Sequence, residues 1–295
     1  MSYELIDGKL VASKIREEIK DRVAEIKSKH SRIPGLAAIL VGEDPASEIY
    51  VRNKRKACED VGIYSEEHKL SGDIAQEDLL KLINRLNGDE NINGILVQLP
   101  LPEHIDDSTV LNSVSPEKDV DGFHPINAGL LFEGKPRFIA CTPHGIIKML
   151  EFYDIDIEGK NAVVLGRSNI VGKPAAMLLL QKNATVTICH SRTRNLDAVL
   201  KSADLIVAAI GRAHFVTSKM VKEGSIIIDV GINRLDDGKL VGDVDFENVK
   251  DISSYITPVP GGVGPMTITM LLWNTVVSLE PVSYTHLTLP TSDLV

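Results

Sequence analysis

The stretch that decides the fold lies at residues 163–174 and reads Val163-Val164-Leu165-Gly166-Arg167-Ser168-Asn169-Ile170-Val171-Gly172-Lys173-Pro174. It runs from a short apolar strand through a glycine turn into a helix. Glycine at such a turn lets the backbone approach a phosphate closely, and the free N–H groups at the start of the helix can bind it. The spacing is Gly-x5-Gly and not GxGxxG, so a tight turn without a ligand remains the alternative.

Strand and helix patterns alternate on both sides of this turn. The second half predicts strands at 162–165, 185–189, 205–210 and 225–230, and helices at 172–181 and 196–202. The flanking regions predict buried strands at 36–41 and 92–99 and helices at 45–61 and about 266–279, whereas 119–142 predicts a connector or a long functional loop. Alternation of this kind indicates an α/β fold with a parallel sheet that is covered on both faces.

Composition and charge exclude several classes of protein. The chain has 295 residues, of which 43% are hydrophobic and 25% charged, as in ordinary globular proteins. Its net charge of −9 disfavours a general binder of nucleic acid or anionic membranes. No apolar run reaches the roughly 18 residues of a membrane-spanning helix, and the N-terminus lacks a secretory core.

Cysteine and histidine usage adds two expectations. The three cysteines, Cys58, Cys141 and Cys189, form no disulfide framework and no CxxC pattern, which favours a reducing compartment. The histidines show no metal-ligand pairing, so no metal site is predicted. We therefore expect a cytoplasmic protein without membrane or nucleic-acid partners.

The loop after the next strand beyond Gly166 points to a cofactor. It reads Ser191-Arg192-Thr193-Arg194 and lies about one βαβ step after the glycine turn. Folds that bind NAD usually place Asp or Glu here for the ribose 2′-hydroxyl, whereas hydroxyls and arginines suit a 2′-phosphate. A solvated basic loop is the alternative, but together with the glycine turn the pattern predicts NADP.

A tyrosine and a lysine share one helix face in the first half. Tyr50 and Lys54 are four residues apart, on the helix that follows the strand ending at Val41. Ligands of open α/β sheets bind beyond the carboxyl ends of the strands. A lysine shielded by apolar walls can move protons near neutral pH. A surface lysine beside a half-buried tyrosine is the alternative.

Three further segments carry polar or rigid residues where a ligand could lie. Gln98 ends an apolar strand before Leu99-Pro100-Leu101-Pro102, although an edge amide that bonds a turn would look the same. Asp119 and Asp121 lie in one loop, which could equally be a plain turn or a calcium-like loop that lacks the other ligands. Residues 257–265 form a proline- and glycine-rich loop that could lie against a flat ligand or serve as a linker.

Five segments in this order resemble the bifunctional methylenetetrahydrofolate dehydrogenase/methenyltetrahydrofolate cyclohydrolase family, the bacterial FolD type. They are Tyr50-Val51-Arg52-Asn53-Lys54, Val97 to Pro102, Asp119-Val120-Asp121-Gly122, Gly166-Arg167-Ser168 with Val171 to Pro174, and Pro258 to Thr267. The resemblance covers residues 1–279. It implies oxidation of 5,10-methylenetetrahydrofolate with NADP, followed by hydrolysis to 10-formyltetrahydrofolate.

The resemblance also implies roles for individual residues. Lys54 would be the acid/base residue of the cyclohydrolase step, and Tyr50 would shape the folate pocket beside it. Gln98 would bond Lys54, and Asp121 would accept hydrogen bonds from the pterin. Further substrate contacts would come from Val51, Val97, Leu99, Pro260, Gly261, Gly262, Val263 and Gly264. NADP would be bound by Gly166, Arg167, Ser168, Ser191 and Arg192, with Ile232 contacting it through its backbone.

The family fold implies two domains with a cleft between them, and a homodimer. Residues 1–140 would form an N-terminal α/β catalytic domain, joined by the C-terminal helix at about 266–280. Residues 141–265 would form a Rossmann-like, parallel-sheet NADP-binding domain. Residues 281–295 abandon the earlier pattern and predict a non-native tail. A dehydrogenase without cyclohydrolase activity and a non-catalytic NADP sensor remain the rival hypotheses.

Overall fold

The computed structural model describes residues 3–43 and 45–280, and at residues 45–47, 49 and 50 it describes only the backbone. The predicted non-native tail, 281–295, lies outside the described residues. Within the described residues, no helix combines the length and apolar character needed to cross a membrane.

The elements follow one another in a largely alternating order. The strands are β1 Glu4–Leu5, β2 Gly35–Val41, β3 Tyr64–Leu70, β4 Gly94–Val97, β5 Asn161–Leu165, β6 Thr185–Cys189, β7 Leu205–Ala208, β8 Ser225–Asp229, β9 Asn233–Arg234, β10 Leu240–Val241 and β11 Ser253–Ile256. The helices are α1 Gly8–His30, α2 Pro45–Val61, α3 Gln76–Gly88, α4 Asp107–Ser113, α5 Pro125–Phe132, α6 Cys141–Phe152, α7 Gly172–Gln181, α8 Leu196–Lys201, α9 Phe246–Val249 and α10 Val263–Val277.

The smaller sheet has the strand order β3-β2-β4, and its pairs are parallel. Every residue of β2 is buried, which explains its unbroken apolar sequence. Ile39 belongs to the apolar cluster that contains Leu79 and Ile83 of α3, whereas its neighbour Leu40 belongs to the cluster formed with α1 and α2. Helices thus cover both faces of the strand that leads toward Lys54.

The larger sheet has the strand order β1-β11-β8-β7-β5-β6, again with parallel pairs. The central strands β5, β7 and β8 are almost entirely buried. Strand β1 pairs with β11, so residues 4–5 lie in this sheet although they fall within the predicted domain 1–140. Together, the two sheets are the parallel α/β architecture that the sequence predicts.

Helix α10 connects the two sheet regions. Met266 on α10 packs closely against Gly145 on α6. A methyl group added at Gly145 would lie 2.6 Å from Met266 Cβ. The start of α1 packs equally closely on the loop before α10, because a methyl group at Gly8 would lie 1.8 Å from Gly262 O. The last helix therefore fixes the 257–265 loop between α1 and the larger sheet.

The structure corrects the prediction of a connector or long loop over 119–142. This segment contains α5, whose first residue is Pro125 and whose N-cap is His124, with Nδ1 accepting from Ile126 N–H at 3.1 Å. Proline at the first helical position is a known start signal. With only eight residues, α5 is too short to show a clear helical periodicity.

Candidate active site

Lys54 lies on the buried face of α2, with only 7% of its surface exposed. Its Nζ donates a hydrogen bond to Gln98 Oε1 at 2.9 Å. Gln98 directly follows β4, and its own backbone N–H donates to Ile39 O at 2.9 Å, which extends the sheet ladder. The strand end therefore holds the amide that meets the lysine. A mostly solvated surface lysine, the alternative at the sequence level, is excluded.

Gln98 is fixed at both ends of its side-chain amide. Its Oε1 accepts from Lys54, and its Nε2 donates to Leu99 O at 2.7 Å. The second bond determines which amide atom faces the lysine, because the NH₂ group is already occupied. Gln98 thus presents an acceptor, and not a donor, to Lys54 Nζ.

Asp121 lies near Lys54, in the loop between Lys118 and α5. Burial raises the pKa of the Asp121 carboxyl to about 6, and the charge of Lys54 opposes this rise. The Cys141 Sγ atom lies 3.9 Å from Asp121 Oδ1, close enough for a weak sulfur hydrogen bond. A carboxyl group with so few partners among the described residues is available to accept hydrogen bonds from a ligand.

Asp119, by contrast, is used by its own loop. It accepts from the backbone N–H groups of Phe123 at 3.1 Å and His124 at 2.8 Å, and from Asn127 Nδ2 at 2.8 Å. Burial raises its pKa, and these hydrogen bonds oppose the rise. Asp119 therefore shapes the loop from within, whereas Asp121 accepts only the weak bond from Cys141 among the described residues. No group of His, Cys, Asp or Glu within 3–43 and 45–280 is arranged to hold a metal.

The other predicted substrate residues fall into three groups. Val51, Val97 and Val263 are buried in the apolar core, and Leu99 is half-buried. Pro260 is exposed on the loop before α10, where Gly261 and Gly262 are buried, and Gly264, in the first turn of α10, is half-buried. Tyr50 belongs to α2, but its side chain lies outside what the structure describes.

The first turn of α10 reaches the second candidate site. A methyl group added at Gly264 would lie 3.7 Å from Ile232 Cδ1. Ile232 is 49% exposed and follows β8 at the carboxyl edge of the larger sheet. The predicted folate-lining loop and the predicted NADP contact are therefore neighbours, as a reaction between the two ligands requires.

The glycine turn after β5 is closely packed. Gly166 has φ +132°, and a methyl group there would lie 2.2 Å from Ala209 O. A methyl group at Gly172 would lie 2.3 Å from Gly166 O. Ser168 Oγ accepts from the N–H groups of Val171 and Gly172 at 3.2 Å each, at the start of α7. Glycine is thus required at both positions, because any side chain would collide with the backbone.

The residues expected to hold NADP suit a large anionic dinucleotide. Arg167, Ser168, Ser191 and Arg192 are all exposed, and they follow the adjacent strands β5 and β6. Neither arginine forms an ion pair with any described residue. Arg167, in the turn before α7, and Arg192, in the loop after β6, thus offer exposed guanidinium groups that fit a diphosphate and a 2′-phosphate.

Sequence reasoning missed two residues that support the site. Asn274 on α10 donates through Nδ2 to Val120 O at 2.8 Å and to Ile139 O at 3.0 Å, which holds the segment before Asp121. Cys141 bonds Val120 O at 3.3 Å. A buried asparagine inside the apolar 263–277 segment was the available signal, because a buried amide needs hydrogen-bond partners.

Comparison with known proteins gives a consistent result. Residues 6–121 match the catalytic domain, and residues 140–282 the NAD(P)-binding domain, of tetrahydrofolate dehydrogenase/cyclohydrolase. "Bifunctional protein FolD" of Streptococcus agalactiae is 57% identical over 272 residues, 92% of this chain and 96% of the relative.

Two solved structures are similar over almost the whole chain. The bifunctional enzyme FolD of Campylobacter jejuni has a TM-score of 0.92 and 55% identity, covering 94% of this chain and 98% of that one. The Trypanosoma brucei enzyme, solved with NADP and an inhibitor, has a TM-score of 0.91 and 39% identity, covering 94% and 97%. These matches confirm the resemblance seen in the sequence motifs, and the chain belongs to the tetrahydrofolate dehydrogenase/cyclohydrolase family.

Proposed function

We propose that the chain is a bifunctional folate enzyme, which oxidises 5,10-methylenetetrahydrofolate with NADP and hydrolyses the methenyl product to 10-formyltetrahydrofolate. The observation that carries this proposal is the buried Lys54, bonded to Gln98 at 2.9 Å and close enough to Asp121 for its charge to oppose the raised pKa of that carboxyl. The family assignment, which covers both domains, supports the same two activities.

Lys54, Gln98 and Asp121 divide the substrate chemistry between them. The ionised Asp121 accepts hydrogen bonds from the pterin N–H groups and thereby orients the ring. Bound NADP supplies a hydride acceptor, so the dehydrogenase step asks these residues mainly to position the folate. Loss of hydride from the bridging carbon leaves a methenyl cation whose charge is spread over two nitrogens.

Lys54 serves the second step. Water adds to the methenyl carbon and loses a proton, and a second proton transfer accompanies opening of the ring to the formyl product. The amine of Lys54 accepts and returns these protons, while Gln98 Oε1 keeps it directed at the reacting carbon. The same pocket can run both steps, because the product of the first is already bound for the second.

A two-part spectrophotometric assay tests the function. The purified chain is given methylenetetrahydrofolate with NADP or NAD, and separately methenyltetrahydrofolate without a nucleotide. We expect reduction that prefers NADP, and hydrolysis without any nucleotide. Reduction without hydrolysis would support the dehydrogenase-only rival, whereas NADP binding with neither reaction would support the sensor.

For the cofactor we propose the residues predicted from the motifs. Gly166 and Ser168 would meet the diphosphate at the start of α7, and Ile232 would contact the nicotinamide end through its backbone. Arg192, together with Arg167 and Ser191, would face the 2′-phosphate. The open position and free charges of these side chains support the assignment.

We also propose a homodimer that forms along the edge of the larger sheet. Strand β6 is an edge strand of that sheet, and Ile188 on it is 37% exposed. Leu180 and Phe132, 54% and 75% exposed, lie on the adjoining helices α7 and α5. An exposed strand edge flanked by apolar side chains favours pairing with a second copy. Sedimentation equilibrium should show a dimer, and Ile188→Lys should weaken it, whereas the exposed Lys201→Glu should not.

The domain boundaries and the compartment complete the proposal. Residues 1–140 with 266–280 would carry the folate site, and 141–265 the NADP site, as the separation of the β3-β2-β4 sheet from the six-stranded sheet supports, with β1 as the exception. The three cysteines are free and buried, which supports a reducing, cytoplasmic location without membrane or nucleic-acid partners. Cell fractionation checks the location, and retention on a nucleic-acid column would contradict the last point.

A further inference from the structure

Two buried carboxylates lie beneath the carboxyl edge of the larger sheet, outside the residues assigned above. Asp243 is fully buried, and Asp229, at the end of β8, is 3% exposed. Neither forms an ion pair with a described residue. A buried charge without a cation partner is costly unless hydrogen bonds compensate for it. The hydrogen bonds around this pair therefore indicate its purpose.

Asp243 binds the loop that follows β7. Its Oδ2 accepts from the backbone N–H groups of Ile210 at 2.7 Å and Gly211 at 3.0 Å, and its Oδ1 accepts from Arg212 N–H at 2.7 Å. These bonds explain why β7 ends at Ala208, short of the predicted Ile210. The backbone N–H of Ile210 turns away from the strand ladder toward the carboxylate.

The same pair also binds the loop that follows β8. Asp229 Oδ1 accepts from Gly231 N–H at 3.0 Å and from Asp243 N–H at 2.9 Å, so one carboxylate holds the backbone of the other. Asn233 Nδ2 donates to Asp243 Oδ1 at 3.0 Å. Burial, and to a smaller extent the charge of Asp243, raise the pKa of Asp229 to about 7. The two loops and the two acids thus form one connected network.

The loop after β7 borders the turn that we assign to NADP, and the loop after β8 carries Ile232. Strands β8, β7 and β5 are neighbours in the sheet, so the loops after them meet at one edge. Ala209, the residue before the Asp243-bound loop, lies against Gly166, and Ile232 lies between Gly231 and Asn233. Ligands of open α/β sheets bind at this edge. The carboxylate is therefore placed to control the shape of the cofactor pocket from below.

We propose that Asp243 is a positioning residue for NADP, which presents the 210–212 and 231–233 loops to the cofactor without touching it. This inference rests on the proposed cofactor site. The carboxylate matters because both of its oxygens accept hydrogen bonds, from four N–H donors in all. In an asparagine at this position, one oxygen is replaced by an NH₂ group, which would face N–H donors and could not accept from them. An apolar or amide side chain would release at least one loop.

The test compares NADP binding with a reaction that does not use NADP. For Asp243→Asn we expect the Kd of NADP, measured by calorimetry, to rise tenfold or more. Hydrolysis of methenyltetrahydrofolate without nucleotide should stay within twofold of the parent chain. The matched control is Asp236→Asn, an exposed carboxylate in the nearby hairpin, which should change neither quantity. An unchanged Kd in a folded Asp243→Asn protein would overturn the proposal.

Two milder variants cover the case in which Asp243→Asn does not fold. Asn233→Ala removes one donor to Asp243 and should raise the Kd of NADP about threefold, with hydrolysis unchanged. Gly231→Ala keeps the charge but puts a methyl group 2.2 Å from Asp243 Oδ1, and it should have the larger effect of the two. If both bind NADP like the parent chain, the inference is wrong. If the parent chain itself binds no NADP, the proposed function fails instead.

Discussion

The two candidate ligand sites hold their polar groups in opposite ways. At the folate site, Lys54 is 7% exposed and already bonded to Gln98, and burial raises the pKa of Asp121 to about 6. At the cofactor site, Arg167, Ser168, Ser191 and Arg192 stand exposed. The contrast matches the work that each site performs. Proton transfer benefits from a fixed, shielded environment, whereas a large dinucleotide needs charged groups within reach of solvent.

At the cofactor site, buried groups hold the exposed loops in place. The Gly166 turn packs against Ala209, and Asp243 bonds the backbone of the loop that begins there. At the folate site, the support is of another kind, since Asn274 and Cys141 hold the Asp121 loop from α10 and α6. The two sites therefore depend on separate sets of residues, so mutations should separate the two activities.

The largest expected effect concerns Lys54→Met, which removes the amine but keeps much of the side-chain volume. Cyclohydrolase activity should fall on the order of a thousandfold, because general acid–base catalysis supplies about 10²–10⁴. The dehydrogenase rate, which needs mainly orientation, should fall far less. Both are measured spectrophotometrically, with the exposed Lys56→Met as control. Unchanged hydrolysis would rule out the role assigned to Lys54.

Gly166→Ala should have the opposite effect, with loss of the dehydrogenase rate and retention of hydrolysis. The left-handed φ of +132° and the 2.2 Å approach to Ala209 O force the turn to move, and such a displacement costs roughly a hundredfold in NADP-dependent rate. Hydrolysis without nucleotide should persist. Gly129→Ala, on α5 with open space around it, is the control. Equal loss of both activities in a folded variant would contradict independent sites.

Asp121 should make the KM for folate depend on pH. Its pKa of about 6 means that the accepting carboxylate is lost as the pH falls below 6, so the KM for folate should rise about tenfold per pH unit there. Above pH 7 the KM should be flat. Asp121→Asn should raise the KM at neutral pH and abolish the dependence. A parent-chain KM that is constant from pH 7 to 5 would exclude Asp121 as the acceptor.

The smallest effect is expected for Arg192→Gln. Because this arginine is exposed, loss of its contact with a 2′-phosphate should raise the Kd of NADP only about three- to tenfold. The Kd of NAD, which lacks that phosphate, should change less than twofold. The exposed Arg234→Gln serves as control. An equal rise in the Kd of NADP and of NAD would show that Arg192 does not contact the 2′-phosphate.

The sequence predicts an element well where the local pattern of apolar residues matches the burial of that element. Helix α7 and strand β6 have the predicted bounds, 172–181 and 185–189, because a glycine or a turn marks their limits. Helix α1 was missed although Val11, Ile15, Ile19 and Val23 recur every four residues and are buried. That signal was available. Strand β3 offered little, since five of its seven residues are polar, as an edge strand permits.

The sequence by itself indicated which residue types carry the proposed chemistry. Lys54, Gln98, Asp121 and the glycine turn are local features whose residue types can be identified without coordinates. Only the tertiary structure decided which carboxylate is free, because Asp119 spends its oxygens on Phe123, His124 and Asn127. It also decided that Asp243, 77 residues beyond Gly166, bonds the backbone of the 210–212 loop next to the glycine turn. The reason is physical: spacing along a chain specifies which groups share an element, but packing between distant elements decides which groups remain unbonded.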